Sequence, residues 1–141
     1  MSSSGSPNFS PAARWTPTLV ADGFTPVSVY FLHNYHRLKS RPVKGVGGGS
    51  PAGLNSTEAM LIIQIMSHKW SDKAPFVTVA NLCERMGLGD RQVRKVMKRL
   101  DELGFMSRRR LYGPNSFYFD GLFAALEELY AEDSAKEQEA A

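Results

Sequence analysis

Between Arg91 and Arg110 the chain places eight Lys and Arg residues against only two acids, Asp101 and Glu102. Cations at that density bind anions, and a phosphate backbone is the polyanion that suits a focused basic patch. Arg91, Gln92, Arg94 and Lys95 also carry finer chemistry: Arg offers paired N–H donors, and Gln one donor beside one acceptor. The alternative is plain: a basic run of this kind is also what a solvated helix face looks like. Other chemistry is poorly supplied. His33, His36 and His68 have no acidic or cysteine companion at ligand spacing, so no metal site is expected. Cys83 is the single cysteine, which leaves no internal disulfide and no multi-cysteine zinc site. The glycine run of residues 45–50 lacks the Lys-Ser/Thr ending of a phosphate-binding loop. No paired carboxylates flank it. The residues point to binding, with neither catalysis nor a cofactor expected.

What decides between a reader and a solvated face is the set of elements that positions these side chains. Asn55 with Glu58 three residues later has the form of a capping box. Ala59, Met60, Ile62, Ile63, Ile65, Met66 and Trp70 then give a first helix a broad apolar face, ending near residues 68–70. Phe76 and Val77 read as one extended step. Thr78 caps a second helix whose Leu82, Cys83 and Met86 recur at helical spacing, and Gly87 ends it in a left-handed turn. A third helix opens at Gly89 or Asp90. Val93, Val96, Met97, Leu100 and Leu103 fall on one side of it at 100° per residue, and Arg91, Arg94, Lys95 and Lys98 on the other. Gly104 closes it. Residues 105–119 read as a β-hairpin turning at Gly113–Ser116, with Arg108 and Arg110 on one face and Arg109 on the other. Asp120 caps a last helix with Leu122, Phe123, Leu126, Leu129 and Tyr130 as its stripe.

Two helices joined by a tight glycine turn and followed by a basic hairpin form a helix-turn-helix with a wing. The stretch LCERMGLGDRQVRKVMKRLDELGFMSRRR resembles the winged helix-turn-helix domains of bacterial and phage transcriptional regulators and of plasmid and phage replication initiators. Leu82, Cys83, Met86, Gly87, Leu88, Val93, Val96, Met97, Leu100 and Gly104 carry the resemblance, which covers about residues 54–130. It implies a mainly α fold with a small β-hairpin. It also implies a recognition helix over 90–103 in the major groove of double-stranded DNA, with the wing over 105–119 on the backbone or minor groove. Carried onto this chain, Arg91, Gln92, Arg94 and Lys95 lie nearest base edges. Thr78, Lys98, Arg99, Arg108, Arg109, Arg110 and Asn115 become backbone contacts. The chain departs from the family pattern at the helix cap. Gly89 and Asp90 stand where Ser or Thr is usual, and an acid there suits the helix dipole but repels phosphate unless it accepts from a cytosine amino group.

The chain has 141 residues with 43% hydrophobic side chains, enough for one domain with a real core. Its net charge of +3 is unevenly spread: +4 over residues 1–53, +4 over 54–120 and −5 over 121–141. Residues 1–24, rich in Ser, Pro and Gly, read as a disordered tail in which Trp15 is the exception. Residues 25–38 form an aromatic docking or oligomerisation segment, either a strand and a helical turn or one helix begun by Pro26. Residues 39–53 read as a Gly/Pro-rich linker, 54–131 as the winged domain and 132–141 as a fraying acidic tail. No signal sequence or membrane span is read, so a cytoplasmic, nucleoid-associated protein is expected. The apolar faces of the first and last helices suggest a homodimer, with 25–38 adding to it or holding a protein partner. Three roles stay open: transcriptional regulation, origin binding or partition for a mobile element, and a non-catalytic protein-interaction module on the same scaffold.

Overall fold

In the computed structural model, residues 14–40, 53–68, 76–109 and 115–140 are described. Helix α1 (Val29–Asn34) continues into a 3-10 turn at Tyr35–Arg37. It is followed by α2 (Ser56–Met66), β1 (Phe76–Val77), α3 (Val79–Met86), α4 (Asp90–Glu102), β2 (Ser107–Arg109), β3 (Asn115–Tyr118) and α5 (Asp120–Ala140). The strands form one antiparallel sheet in the order β1-β3-β2, with Arg108 opposite Phe117 and Val77 opposite Asn115. Helices α2, α3 and α4 with this small sheet make a winged helix-turn-helix, the fold class expected.

The caps follow local chemistry. Asn55 Oδ1 accepts from the Glu58 N–H at 2.8 Å while Glu58 Oε1 accepts from the Asn55 N–H at 2.8 Å, so the capping box is complete. Thr78 Oγ1 accepts from the Asn81 N–H, and Gly87 ends α3 at φ +67°, where an L side chain is strained. Behind them lies one core. Leu61, Ile65, Leu82, Val93, Leu100, Phe105, Phe117 and Leu122 are all fully buried in it. Val93 is buried where α3 and α4 pack, with Cys83 and Leu88 half-buried against it, so Cys83 is a packing residue. Gly121 sits so close to the preceding turn that a Cβ there would overlap the Gly104 carbonyl oxygen, which locks the start of α5 against the end of α4.

Several boundaries differ from the sequence reading, each for a physical reason. The 25–38 segment is helical rather than extended, and Ser28, not Pro26, starts it: its Oγ accepts from the Phe31 N–H. This segment docks on its own domain, with Phe31 and Leu38 in the core. Helix α2 ends at Met66, and Trp70 lies outside the described residues. Its buried face is Ala59, Leu61, Ile62 and Ile65, and Met60 turns outward. The last ten residues, read as a fraying tail, include the final turns of α5. Asp133 pairs with Arg37 at 2.8 Å and accepts from the Tyr30 hydroxyl at 2.7 Å; Glu132 pairs with Lys39. Two acids of the tail are thus the partners of cations that follow α1. Residues 17–22 form turns, and Trp15 before them is 70% exposed. Of the expected linker only Lys39, Ser40 and Gly53 are described, and the Leu54 N–H donates to the Tyr35 carbonyl across it at 2.9 Å.

Candidate nucleic-acid interface

The amphipathicity of α4 settles which side chains reach solvent. Val93, Met97 and Leu100 are buried, so Arg91, Lys95 and Lys98 stand on the opposite, outermost stripe. Arg94 flanks that stripe towards the wing, and Gln92 and Arg99 flank it towards α2. A cleft of about 490 Å³ lies on the wing side, lined by Arg94, Lys98, Asp101, Ser107 and Arg108. A second, of about 980 Å³, lies between α4 and the start of α2 and includes Gln92, Lys95, Lys98 and Arg99. The helix is therefore a basic ridge between two grooves. Among the described residues Arg91, Lys95, Lys98 and Arg108 enter no ion pair.

Two of the candidate readers are already held. Arg94 Nε donates to Asp90 Oδ2 at 2.7 Å, an i,i+4 pair with the two side chains 56% and 65% exposed. The partner of Asp90 in the free chain is thus an arginine of its own helix. Gln92 Oε1 accepts from the Gly89 N–H at 3.2 Å, supplying the half of the cap that a glycine allows. No acceptor among the described residues takes the Gln92 amide nitrogen.

Arg99 is tied back to the scaffold. Its Nη1 donates to Glu58 Oε2 at 2.6 Å, and that carboxylate is almost fully buried, with its side chain 3% exposed. One carboxylate thus closes the α2 cap and anchors α4 to α2. In sequence the capping box accounts for Glu58 completely, and no local signal links it to a residue 41 positions on. The Thr78 hydroxyl sits at the start of α3, half-exposed and accepting from its own helix. In the wing, Arg108 is exposed on β2. The backbone of Arg109 is in β2, whereas Arg110 lies outside the described residues. Asn115 belongs to β3 opposite Val77 rather than to a loop tip, because the extra β1 strand lengthens the ladder at that end.

The histidines remain apart. His68 Nε2 is buried without a hydrogen-bond partner among the described residues. Burial first, then the nearby Arg85, hold its pKa below the ordinary value. No group of three or more His, Cys, Asp or Glu residues that could hold a metal occurs among the described residues. Nor is any described helix long and apolar enough to cross a membrane.

The solved structure of Lactococcus lactis ZitR, wild type in complex with DNA, is 15% identical and covers 94% of this chain and 84% of its own, at a TM-score of 0.40. A second structure of ZitR, described as a zinc-responsive MarR family member, is 15% identical over 91% of this chain and 79% of its own, at 0.42. No curated protein matches. Residues 52–106, from the end of the glycine-rich stretch to the first residues after α4, match the family model of the helix-turn-helix domain, and in this chain that domain is completed by a wing.

Proposed function

We propose that this chain binds double-stranded DNA sequence-specifically, as a transcriptional regulator that acts as a homodimer. The observation that carries the reading is the ridge of α4. Arg91, Lys95 and Lys98 are exposed and in no ion pair, on a helix whose other face is locked into a helix-turn-helix core. In this reading α4 enters the major groove with Arg91, Gln92, Arg94 and Lys95 towards base edges. Lys98, Thr78 and Arg108 take the backbone, joined by Arg109, Arg110 and Asn115 of the wing. Arg99 is withdrawn from that set because its charge is committed to Glu58. The protein is a binder and not an enzyme.

The dimer is supported by apolar surface that the monomer leaves uncovered. Val29 and Leu32 of α1 and Phe123 and Tyr130 of α5 are exposed. A mainly apolar groove of about 350 Å³ opens between α1, α2 and α5, lined by Val27, Ile63, Met66, Phe123 and Leu126. One winged domain also has a small footprint, and pairing two recognition helices about 34–36 Å apart supplies the rest of the specificity.

Selection of sites from a random duplex library tests the proposal, followed by titration of the winning and a scrambled duplex at several salt concentrations. Wild type should prefer its site by about 10³-fold or more, and the Arg94→Ala/Lys95→Ala double variant should lose that preference. A dimer predicts a selected site with twofold symmetry. Binding that depends on salt but not on sequence would overturn the reading.

A further inference from the structure

We propose that Asp90 is a positioning residue for guanine readout, holding Arg94 by one nitrogen so that its other two face a base. The inference rests on the DNA-binding reading above. A guanidinium has five N–H donors in a rigid plane. Asp90 engages it at Nε alone, at 2.7 Å, and no described acceptor takes either Nη. Those two Nη groups form the edge that matches the O6 and N7 acceptors of guanine, the commonest specific contact in the major groove. An arginine that swings freely loses rotamer entropy on docking; one already tethered at Nε gives up less. The order of the pair, acid four residues before base, is the favourable one on a helix, and the carboxylate also suits the positive end of α4.

The same carboxylate works against the wrong partner. It stands in the first turn of the helix that meets DNA, 65% exposed, where a phosphate oxygen in its place would be repelled. Binding to a backbone that offers Arg94 no guanine therefore carries a penalty that the correct site offsets. One residue raises affinity for the right sequence and lowers it for the rest, which is specificity by attraction and repulsion together.

The test compares full-length wild type, Asp90→Ala, Asp90→Glu and Arg94→Ala. Each is put through selection from the random duplex library and titrated on the wild-type winning duplex, with each guanine in turn replaced by 7-deazaguanine, which lacks N7. Wild type should lose about 5- to 150-fold at one guanine, the range of a bidentate contact. Arg94→Ala and Asp90→Ala should both flatten that penalty to under about twofold, and Asp90→Ala should also bind scrambled duplex more tightly. Asp90→Glu, whose carboxylate still reaches Arg94, should keep the penalty. A merely structural Asp90 would weaken all duplexes alike and leave the guanine preference intact, which would overturn the proposal. A wild-type motif indifferent to Arg94→Ala would overturn it as well, while leaving DNA binding standing. The absence of any wild-type motif would remove the DNA reading and this inference with it.

Discussion

Replacing Arg99 with alanine separates the architecture of this domain from its interface. Glu58 is a buried carboxylate with two acceptor atoms in use: Oε1 takes the Asn55 N–H at 2.8 Å and Oε2 takes Arg99 at 2.6 Å. Removing one partner of a buried ion pair costs roughly 3–5 kcal/mol, because the remaining charge keeps its desolvation penalty. The Arg99 side chain is 44% exposed, so water reaches the vacated side and returns part of that cost. A net loss of about 2 kcal/mol follows, intermediate between the buried-pair figure and that of an exposed pair. For a domain of this size that lowers Tm by roughly 8–10 °C. Glu58→Ala should cost more, since it also opens the α2 cap, worth about 1 kcal/mol. The double variant should fall short of the sum of the singles by about 1–2 kcal/mol, the signature of a direct pair. Urea unfolding followed by circular dichroism measures all three. In DNA titrations at matched folded fraction, Arg99→Ala should lose less affinity than Lys98→Ala, the adjacent cation with no ion-pair partner among the described residues. If Arg99→Ala were within 0.5 kcal/mol of wild type in stability and tenfold weaker on DNA, the anchoring argument would be refuted.

Four further outcomes are expected. Lys98→Ala and Arg108→Ala should each flatten the dependence of log affinity on log salt by about 1, the release of one counterion; an unchanged slope would place those cations off the backbone. Gly87→Ala should cost about 1–2 kcal/mol through its φ of +67° alone, since a Cβ there meets open space. Gly121→Ala must move backbone at Gly104 and should cost at least as much as overpacking a core, about 1–3 kcal/mol, so a neutral Gly121→Ala would contradict the close approach. The Tyr30 hydroxyl is pushed up to about 12, first by burial and then by its hydrogen bond to Asp133. Arg37 and Tyr30 together hold the Asp133 carboxyl well below its ordinary 3.8. The α1–α5 clasp should then contribute in full between about pH 5 and 9. It should weaken below pH 4 as Asp133 takes up a proton and above pH 10 as folding holds a proton on Tyr30 that the unfolded chain releases. Absorbance titration of the phenolate reads the high-pH limb, and Asp133→Asn should bring the Tyr30 midpoint back towards 10.

The helices that carry the interface were legible because their signal is local. Val93, Met97 and Leu100 recur at helical spacing, so their burial turns Arg91, Lys95 and Lys98 outward without reference to the rest of the chain. Gly87 and the Asn55–Glu58 box likewise act within one turn. Elements set by distant partners were not legible. The 25–38 segment is equally apolar as strand or helix, and what makes it a helix on the domain surface is Phe31 in the core and Tyr30 against Tyr130 and Asp133, about a hundred residues away. The stretch from Glu132 read as frayed because glutamate-rich sequence has no face of its own, whereas Arg37 and Lys39 give its first two residues, Glu132 and Asp133, partners across the fold.

The charged residues show the same division more sharply. By type, Arg94 and Arg99 are equivalent, two arginines on one basic helix; the structure ties each to a carboxylate, and the consequences are opposite. Arg94 is held from its own helix at Nε, by an exposed acid, and the end of its guanidinium remains available. Arg99 is held from another helix by a buried acid that cannot release it without losing its own solvation. A basic patch counted from sequence therefore overstates the interface by those cations whose counter-charge is buried in the scaffold, and that burial is a property of the fold. It follows that the affinity of this surface should track Lys98 and Arg108, its base preference Arg91, Gln92, Arg94 and Lys95 with Asp90, and its geometry Arg99 and Glu58. Substitutions drawn from the three groups should combine additively in free energy wherever they share no partner.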